Sequence, residues 1–347
     1  MNSPAYLRTP YKATCPACES EDCELLYEVS SSDSARHFLL AESSAARDEL
    51  RDVIEELWDG KTASVVSCRS CALGFADPLV AGDYRFYNLA YPHSGYPGVR
   101  WEHRVTAAYL EKRGMKDFKI LEVGAGDGSF MGQVVPNLTT PEQVFCFEHA
   151  EQAAEILEGH GYTRWGGDIR DGDAPIATGF NVVAAFQVVE HLDRLEELFQ
   201  RVWEMTASEG LWFISVPQES NVSLMEQCGG FIDMPPNHIT RWTLDAFEAL
   251  AKRTGWKIIE SENDSSSGVL LSLKSLLVGH YHRKATREGS WRNWIEQKPK
   301  GLLRTGLRVL AMIPTALQTL PSWPKFFGRK EGDVIWVVLE KQDADSS

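Results

Sequence analysis

The feature that most constrains the fold is a glycine-rich turn in the middle of the chain. Residues 118–128 read Phe-Lys-Ile-Leu-Glu-Val-Gly-Ala-Gly-Asp-Gly, an apolar strand that runs into three glycines before a helical pattern begins. Because Gly124, Gly126 and Gly128 lack a Cβ, the backbone can adopt positive φ angles and approach a ligand closely. The pattern predicts a strand–turn–helix unit that holds a nucleotide cofactor.

The spacing of the glycines indicates which cofactor. A dinucleotide fingerprint, G-x-G-x-x-G, would place its third glycine at position 129, where the chain has Ser129. Glu122 stands two residues before the first glycine, where a carboxylate would repel a pyrophosphate. A cationic ligand suits this carboxylate better, and S-adenosylmethionine (SAM) carries a sulfonium and an ammonium group. Residues 121–128 resemble the first motif of class I SAM-dependent methyltransferases.

Two acidic residues follow at informative positions. Residues 144–148 read as a second buried strand, and Glu148 ends it 20 residues after Gly128. An α/β nucleotide fold places a carboxylate there for the ribose hydroxyls, so Glu148 is the predicted ribose ligand. Asp168 lies on a later loop, and the resemblance implies that it receives the adenine amino group. Residues 181–192 resemble the family's fourth strand and its loop, which adds Gln187 to the expected cofactor contacts.

The order of elements predicts the fold class. A helix is expected at 102–114, and strands are expected near 118–123, 143–148, 181–186 and 211–216, with helices between them. Such alternation predicts an α/β, doubly wound, mostly parallel sheet. The family resemblance implies seven strands in a Rossmann-like arrangement, ending in an antiparallel pair at about 256–260 and 334–339. The expected domains are residues 1–100 and 101–347, the second with a basic insertion at about 271–330.

Four cysteines predict a metal site in the N-terminal domain. Cys15 and Cys18 form one C-x2-C pair and Cys68 and Cys71 a second, so together they supply a tetrahedral four-thiolate site for structural Zn²⁺. Cys23 is a spare thiol that competes as a ligand. Residues 68–78 resemble the zinc-binding domains that precede a group of bacterial small-molecule and sugar methyltransferases.

Three residues are candidates for catalysis: Glu190, His191 and, in a later segment, His238. Methyl transfer from a sulfonium is a direct displacement, so catalysis consists of alignment and, for some nucleophiles, removal of a proton. Glu190 and His191 follow the predicted fourth strand at the carboxyl edge of the sheet, where such folds bind ligands. His191 is the first candidate for the general base, with helix capping and packing as the alternative role.

A catalytic metal is a weaker hypothesis for the same loop. Gln187, Glu190 and His191 fall where some quinone-type O-methyltransferases carry Glu, Glu and His around a divalent ion. The first of these positions is an amide here, a poorer ligand for a hard cation than a carboxylate.

A second cluster lies at residues 235–242, which resemble the family's Pro-Pro-x-His-x-Thr-Arg-Trp segment. His238, Arg241 and Trp242 are candidates for facing the acceptor, with anchoring of the loop in the core as the alternative for Trp242. Thr243 is expected to be the N-cap of the next helix.

Composition bounds the remaining possibilities. The chain has 347 residues, of which 43% are hydrophobic, enough for a sizeable core. We expect a cytoplasmic protein, because no secretory signal or membrane-spanning run is visible and seven cysteines with paired C-x2-C spacing suit a reducing compartment.

Charge is unevenly distributed along the chain. The formal net charge is −14, yet residues 271–330 contain 12 Lys/Arg and only 2 Glu. Three roles compete for this insertion: contact with an anionic membrane surface, closure over an anionic acceptor, and a solvated helical lid. Nucleic acid is disfavoured as a partner, because apolar residues interrupt the basic ones and the acidic remainder would repel phosphate.

The sequence therefore predicts a SAM-dependent methyltransferase that acts on a small-molecule, sugar-linked or lipid-linked acceptor. O-methylation is favoured and C-methylation remains open. The alternatives are a non-catalytic scaffold that keeps the SAM fold, and an RNA methyltransferase.

Overall fold

The computed structural model describes residues 6–91, 95, 98–171, 177–230, 233–264, 268–327 and 332–342. These residues form a five-stranded sheet, a seven-stranded sheet and the helices around them. The strands in chain order are β1 Thr9–Tyr11, β2 Cys23–Ser30, β3 Thr62–Cys68, β4 Gly74–Asp77, β5 Ile120–Val123, β6 Val144–Phe147, β7 Thr163–Trp165, β8 Phe180–Phe186, β9 Thr206–Pro217, β10 Thr240–Arg241, β11 Trp256–Asn263 and β12 Val334–Lys341.

The α-helices are numbered in the same way. They are α1 Ser31–Phe38, α2 Ser44–Trp58, α3 Tyr84–Ala90, α4 Trp101–Lys112, α5 Met131–Val134, α6 Glu151–Gly159, α7 Leu195–Met205, α8 Glu219–Gln227, α9 Leu244–Arg253, α10 Val269–Ala285, α11 Trp291–Glu296 and α12 Leu302–Thr319. Short 3-10 helices cover Pro141–Gln143, Val189–His191 and Leu320–Phe326.

The larger sheet confirms the predicted fold class. Its strand order is β11-β12-β9-β8-β5-β6-β7, and the four pairs from β9 to β7 are parallel. β12 pairs antiparallel with both β9 and β11, as expected for the last two strands. β7 was not predicted, because three residues at a sheet edge carry too short a hydrophobic pattern.

The central strands read as continuous apolar runs because both faces of the sheet are covered. Every residue of β5 is buried, and in β8 only Asn181 is exposed. Two hydrophobic clusters lie on the two faces, one including Trp212 and the other Phe213, neighbours on β9. The parallel strands all end at one edge of the sheet, so the loops after β5, β6 and β8 meet there.

The smaller sheet joins the two parts of the chain. Its order is β1-β2-β3-β4-β10, so the N-terminal strands are completed by a strand from the segment at 235–242. Thr240 pairs with Phe75 and Arg241 with Gly74. A Cβ at position 74 would lie 3.0 Å from the Arg241 Cβ, which explains the glycine on β4. The domain boundary expected at residue 100 remains a prediction. This sheet contains strands from both sides of it.

Arg241 is a structural residue, not the acceptor-facing residue that the sequence suggested. Its guanidinium donates to both carboxylate oxygens of Glu226, at 2.7 and 2.9 Å, and both side chains are almost completely buried. The hydroxyls of Tyr27 and Tyr6 donate to the same carboxylate at 2.7 and 2.8 Å. Trp242 is fully buried as well, so it anchors the loop.

Removing Arg241 should destabilise the fold strongly. In an Arg241→Met variant the Glu226 carboxylate stays buried without its counter-ion, and we expect the free energy of unfolding to fall by about 3–5 kcal/mol. Urea denaturation followed by circular dichroism measures this. The control is Glu56→Ala, which breaks the exposed pair with Arg85 and should leave the unfolding midpoint nearly unchanged. Equal midpoints for the two variants would contradict the assignment.

The insertion forms a helical layer of its own. α10 packs through Leu273 and Leu276 against Met225 of α8 and Phe326 of the last 3-10 helix. A second cluster joins α10, α11 and α12 to Leu40 of the N-terminal region. Within the described ranges, no helix is long and apolar enough to cross a membrane.

Candidate cofactor and acceptor site

The glycine turn has the backbone geometry that its sequence predicted. Gly124, Gly126 and Gly128 have φ angles of +72°, +54° and +76°, the left-handed region that favours glycine. A Cβ at position 124 would lie 2.4 Å from Cγ2 of Val188, closer than real carbon atoms approach. The turn after β5 is therefore restricted to glycine both by conformation and by space.

Glu148 reaches this turn from the end of β6. Its Oε2 accepts a hydrogen bond from the Gly126 N–H at 2.7 Å, and its Oε1 accepts one from the Ala150 N–H at 2.8 Å. Two backbone donors fix the carboxylate at the edge of the turn, and each oxygen keeps a further lone pair. This is the position expected for a ligand of ribose hydroxyls.

Glu122 is the least compensated carboxylate beside the turn. It is only 3% exposed, and its Oε2 has no hydrogen-bond partner among the described residues. Burial raises the pKa of Glu122 well above its ordinary value, and the charges of Glu148 and Asp127 raise it further. An unpaired buried carboxyl group fits a ligand that brings a positive charge or hydrogen-bond donors.

Asp168 is already engaged in an ion pair. Both of its carboxylate oxygens accept hydrogen bonds from the guanidinium of Arg170, which also pairs with Asp193 at 2.9 Å. Burial alone would raise the pKa of Asp168, but the hydrogen bonds and charge of Arg170 outweigh it and the pKa is lowered. Its predicted role towards adenine stays a prediction, with Arg170 as a competitor.

Gln187 follows β8 and has an unusual backbone conformation. Its φ is +56°, and its backbone N–H donates to the carbonyl of Ser215 on the neighbouring strand at 2.8 Å. The side-chain Nε2 lies 3.5 Å from the Ser215 hydroxyl. Gln187 thus lies at the cofactor edge of the sheet, where its role as a cofactor contact is still a prediction.

The three candidate catalytic residues lie together. Glu190 and His191 are in the short 3-10 helix after β8, and His238 comes from the loop before β10. The two imidazole rings meet edge to face with centroids 4.6 Å apart. The Ile239 N–H donates to the Glu190 carbonyl at 2.9 Å, so backbone pairing brings the two segments into contact.

His191 is held as a neutral imidazole. Its Nδ1 lies 2.8 Å from the carbonyl of Asn237, which can only accept, so Nδ1 carries the proton and Nε2 the lone pair. Burial lowers the pKa of His191 to about 3, and the charge of His238 contributes. His191 therefore accepts hydrogen bonds through Nε2 but is a weak base.

His238 has the opposite electrostatic environment. Its Nδ1 lies 2.8 Å from the buried carboxylate of Asp233. Burial alone would lower the pKa of His238, but the charges of Asp233 and Glu190 outweigh it and raise the pKa. An imidazole oriented by a carboxylate is the stronger general base of the two.

Glu190 is the third residue of the cluster with His191 and His238. It is 1% exposed, and neither carboxylate oxygen has a hydrogen-bond partner within the described segments. Burial raises its pKa to about 7, against the opposing charge of His238. Ligand atoms of Glu190, His191 and His238 lie within 4.8 Å of one another, a spacing that a metal ion also accepts.

Two residues of this site were missed by sequence reasoning. Asp233 stands five positions before His238 and follows no recognisable spacing. Tyr87, on α3 of the N-terminal region, brings its hydroxyl to 3.2 Å from His191 Nδ1. The Tyr-rich segment around it carries no signal beyond its composition, because the contact depends on how two distant parts of the chain pack.

The four predicted metal ligands form a compact cluster. Sγ of Cys15 lies 3.5 Å from that of Cys71, Sγ of Cys18 lies 3.5 Å from that of Cys68, and all four lie within 4.8 Å of one another. Sulfur atoms bound tetrahedrally to one zinc ion would be about 3.8 Å apart, since each Zn–S bond is about 2.3 Å. Cys23 is outside this group, with its thiol 3.9 Å from the Ser20 carbonyl.

One protein family and several solved structures are similar to this chain. Residues 93–261 match the family model described as "Methyltransferase domain". A methyltransferase described as S-adenosylmethionine-dependent, from Clostridium acetobutylicum, is similar at 9% identity and a TM-score of 0.43, covering 74% of this chain and 96% of the other. Phosphoethanolamine N-methyltransferase 2 from Haemonchus contortus is similar at 14% identity and a TM-score of 0.43, covering 74% of this chain and 56% of the other. No match was found among curated protein sequences.

The sheet, the glycine turn and the matched model together define a class I SAM-dependent methyltransferase domain. In this chain, residues 93–261 belong to that methyltransferase family, and an N-terminal domain whose four-cysteine cluster is compatible with a zinc ribbon precedes them.

The two histidines should titrate at different pH values. We expect nitrogen NMR of the imidazoles to show His191 neutral and protonated on Nδ1 at pH 7, and to show that His238 becomes protonated at a higher pH than His191 does. Asp233→Asn should lower the pKa of His238, because the favourable carboxylate charge is lost, while the exposed Asp245→Asn should not. A charged His191 would exclude the assignment. Because the His238 pKa is raised by folding, its stabilising effect is present below the ordinary histidine pKa of about 6.5 and is lost as pH rises through the folded-state pKa.

Proposed function

We propose that this protein transfers the methyl group of SAM to a small-molecule, sugar-linked or lipid-linked acceptor, with oxygen favoured as the methylated atom. The observation that carries the proposal is the unpaired buried carboxyl group of Glu122 beside three positive-φ glycines. SAM supplies an activated methyl group on a sulfonium, so the protein has only to bind, align and remove a proton.

The binding role falls on the two carboxylates beside the turn. Glu122 would receive the ammonium group of the methionyl part of SAM, which supplies the missing charge in a buried position. Glu148 would receive the ribose hydroxyls with the lone pairs that its backbone bonds leave open. The glycines let the cofactor lie directly on the backbone between them.

The acceptor side is supported by the histidine pair. His238, oriented by Asp233, is better suited than His191 to take a proton from an acceptor hydroxyl, because its pKa is raised while that of His191 is lowered. His191 would orient the acceptor through Nε2, and Glu190 adds a buried carboxyl group with a pKa raised to about 7 close to both rings. Since His238 must lose its proton before it can act, methyl transfer to oxygen would accelerate as pH rises through its pKa.

The nature of the acceptor is supported by the architecture of this cluster. His191 and His238 have only 25% and 17% of their side-chain surface exposed, so a small group on the acceptor reaches them more readily than a nucleic-acid duplex would. A base in this position serves removal of a proton from carbon as well as from oxygen, and C-methylation remains part of the proposal.

Calorimetric titration with S-adenosylhomocysteine tests the cofactor assignment. We expect micromolar binding to the wild-type protein and at least tenfold weaker binding to Glu148→Ala, a loss of about 1.4 kcal/mol. Glu151→Ala is the matched control, because this carboxylate is 88% exposed and lies three residues further on. If well-folded wild-type protein does not bind, the enzyme proposal fails and a scaffold role replaces it.

We further propose that the four-cysteine cluster holds one structural zinc ion. Four thiolates leave no open coordination position, so the ion would stabilise the N-terminal domain and take no part in methyl transfer. A hydrogen bond connects the Cys15–Cys18 segment to the methyltransferase domain, because Arg253 on α9 donates to the Ala17 carbonyl at 2.9 Å.

Metal analysis should find about one zinc per chain in the purified protein. Cys68→Ser should lower the zinc content and the thermal midpoint together, because three thiolates bind zinc far less tightly than four. Cys23→Ser removes a nearby thiol outside the cluster and should retain the metal. Loss of zinc in both variants, or its absence from the wild type, would reject the assignment.

A further inference from the structure

Helix α12 of the insertion presents an unusual apolar face to solvent. Seven large apolar side chains at its ends and along its length are between 50% and 93% exposed: Leu302, Leu303, Val309, Leu310, Ile313, Leu317 and Leu320. At about 100° per residue these positions fall within roughly 120° of the helix circumference, and no charged residue of the helix shares that sector. We call them the apolar stripe.

The opposite face of α12 faces inward and carries both arginines of the helix. Arg304 and Arg308 both bind the buried carboxylate of Glu296 on α11, to which Tyr281 on α10 also donates at 2.7 Å. Arg292 of α11 donates to the Thr315 hydroxyl at 3.1 Å. Rotating the helix to bury its leucines would break these bonds, so the exposure of the stripe is built into the fold.

Both ends of the stripe carry basic and aromatic residues. Trp294 is 54% exposed with the Lys298 ammonium 4.1 Å from its ring centre, shortly before α12 begins. Exposed Lys325 and Phe327 follow its C-terminal end. Residues 271–330 contain 12 basic and 2 acidic residues, whereas the remainder contains 23 basic and 47 acidic ones. Arg283, Arg292 and Arg304 of this segment are buried. The accessible positive charge near the two ends of α12 in the chain comes from half-buried Lys298 and from exposed Lys300 and Lys325.

From this arrangement we infer that the apolar stripe of α12 lies on the surface of a membrane containing anionic lipids, with the helix in the plane of the interface. An apolar face flanked by Lys and aromatic residues gains from burial at the acyl boundary and from attraction to lipid phosphates. A second copy is a poorer occupant, because stacking two stripes would bring two strongly basic segments together.

The 18 residues of α12 extend over about 27 Å, so the whole helix can lie flat on one leaflet. The acidic remainder of the protein would face away from the lipid phosphates. Membrane contact of this kind is independent of methyl transfer, and it would hold for the scaffold alternative as well.

Vesicle flotation of the full-length protein tests the inference. We expect wild-type protein to float with vesicles of phosphatidylcholine mixed with phosphatidylglycerol, and less with phosphatidylcholine alone. Leu310→Glu/Ile313→Glu should weaken binding to the mixed vesicles about tenfold or more, because it places two charges at the apolar contact. Both positions are more than 60% exposed, so the fold should be retained, as circular dichroism can verify.

The control is Thr305→Glu/Tyr84→Glu, which adds the same charge at exposed positions outside the stripe. At the same salt concentration, this variant should bind the mixed vesicles as tightly as the wild type does. Equal loss in both variants would reduce the effect to net charge and overturn the inference. No flotation of the wild type, or a wild-type dimer that the stripe variant converts to monomer in sedimentation velocity, would overturn it too. The stripe variant should still bind S-adenosylhomocysteine. A loss of flotation then reports on the apolar stripe and not on the cofactor site, so the two tests remain independent.

Discussion

The site depends on a backbone bridge at Ile239. Its N–H donates to the carbonyl of Glu190 at 2.9 Å, and its own carbonyl accepts the N–H of Ala76 on β4 at 2.8 Å. One residue thus fixes the histidine loop to the helix after β8 and to the N-terminal sheet at once. The neighbouring buried pair of Arg241 and Glu226 secures the same segment, since breaking a buried ion pair leaves an uncompensated charge.

The glycine turn and the carboxylates beside it were largely predictable from the sequence. Strand, glycine turn and acidic residue are local patterns, so Glu122, the glycines and Glu148 were found where the structure places them near one another. The four cysteines were predictable for a similar reason, because C-x2-C spacing is itself a geometric constraint.

The histidine cluster was less predictable. Sequence reasoning identified His191 and His238 but preferred the former as base, and the environment of each ring reverses that order: a carbonyl and burial for His191, a carboxylate for His238. Asp233 and Tyr87 depend on long-range packing and leave no local pattern. Arg241 was misread for the same reason, since its partner Glu226 is 15 residues away on a separate helix.

The position of Tyr87 matters for any exchange of domains between proteins of this kind. Glu122 and Glu148, the two carboxylates at the glycine turn, come from residues 120–150. His191 lies 3.2 Å from the hydroxyl of a tyrosine in the first hundred residues, and the loop of His238 leads into β10, which completes the N-terminal sheet. Under the proposed function, the N-terminal module therefore contributes to the surroundings of the histidine pair and not to the glycine turn. A chimera that exchanges this module would then keep the turn with its two carboxylates and change one side of the proposed acceptor site.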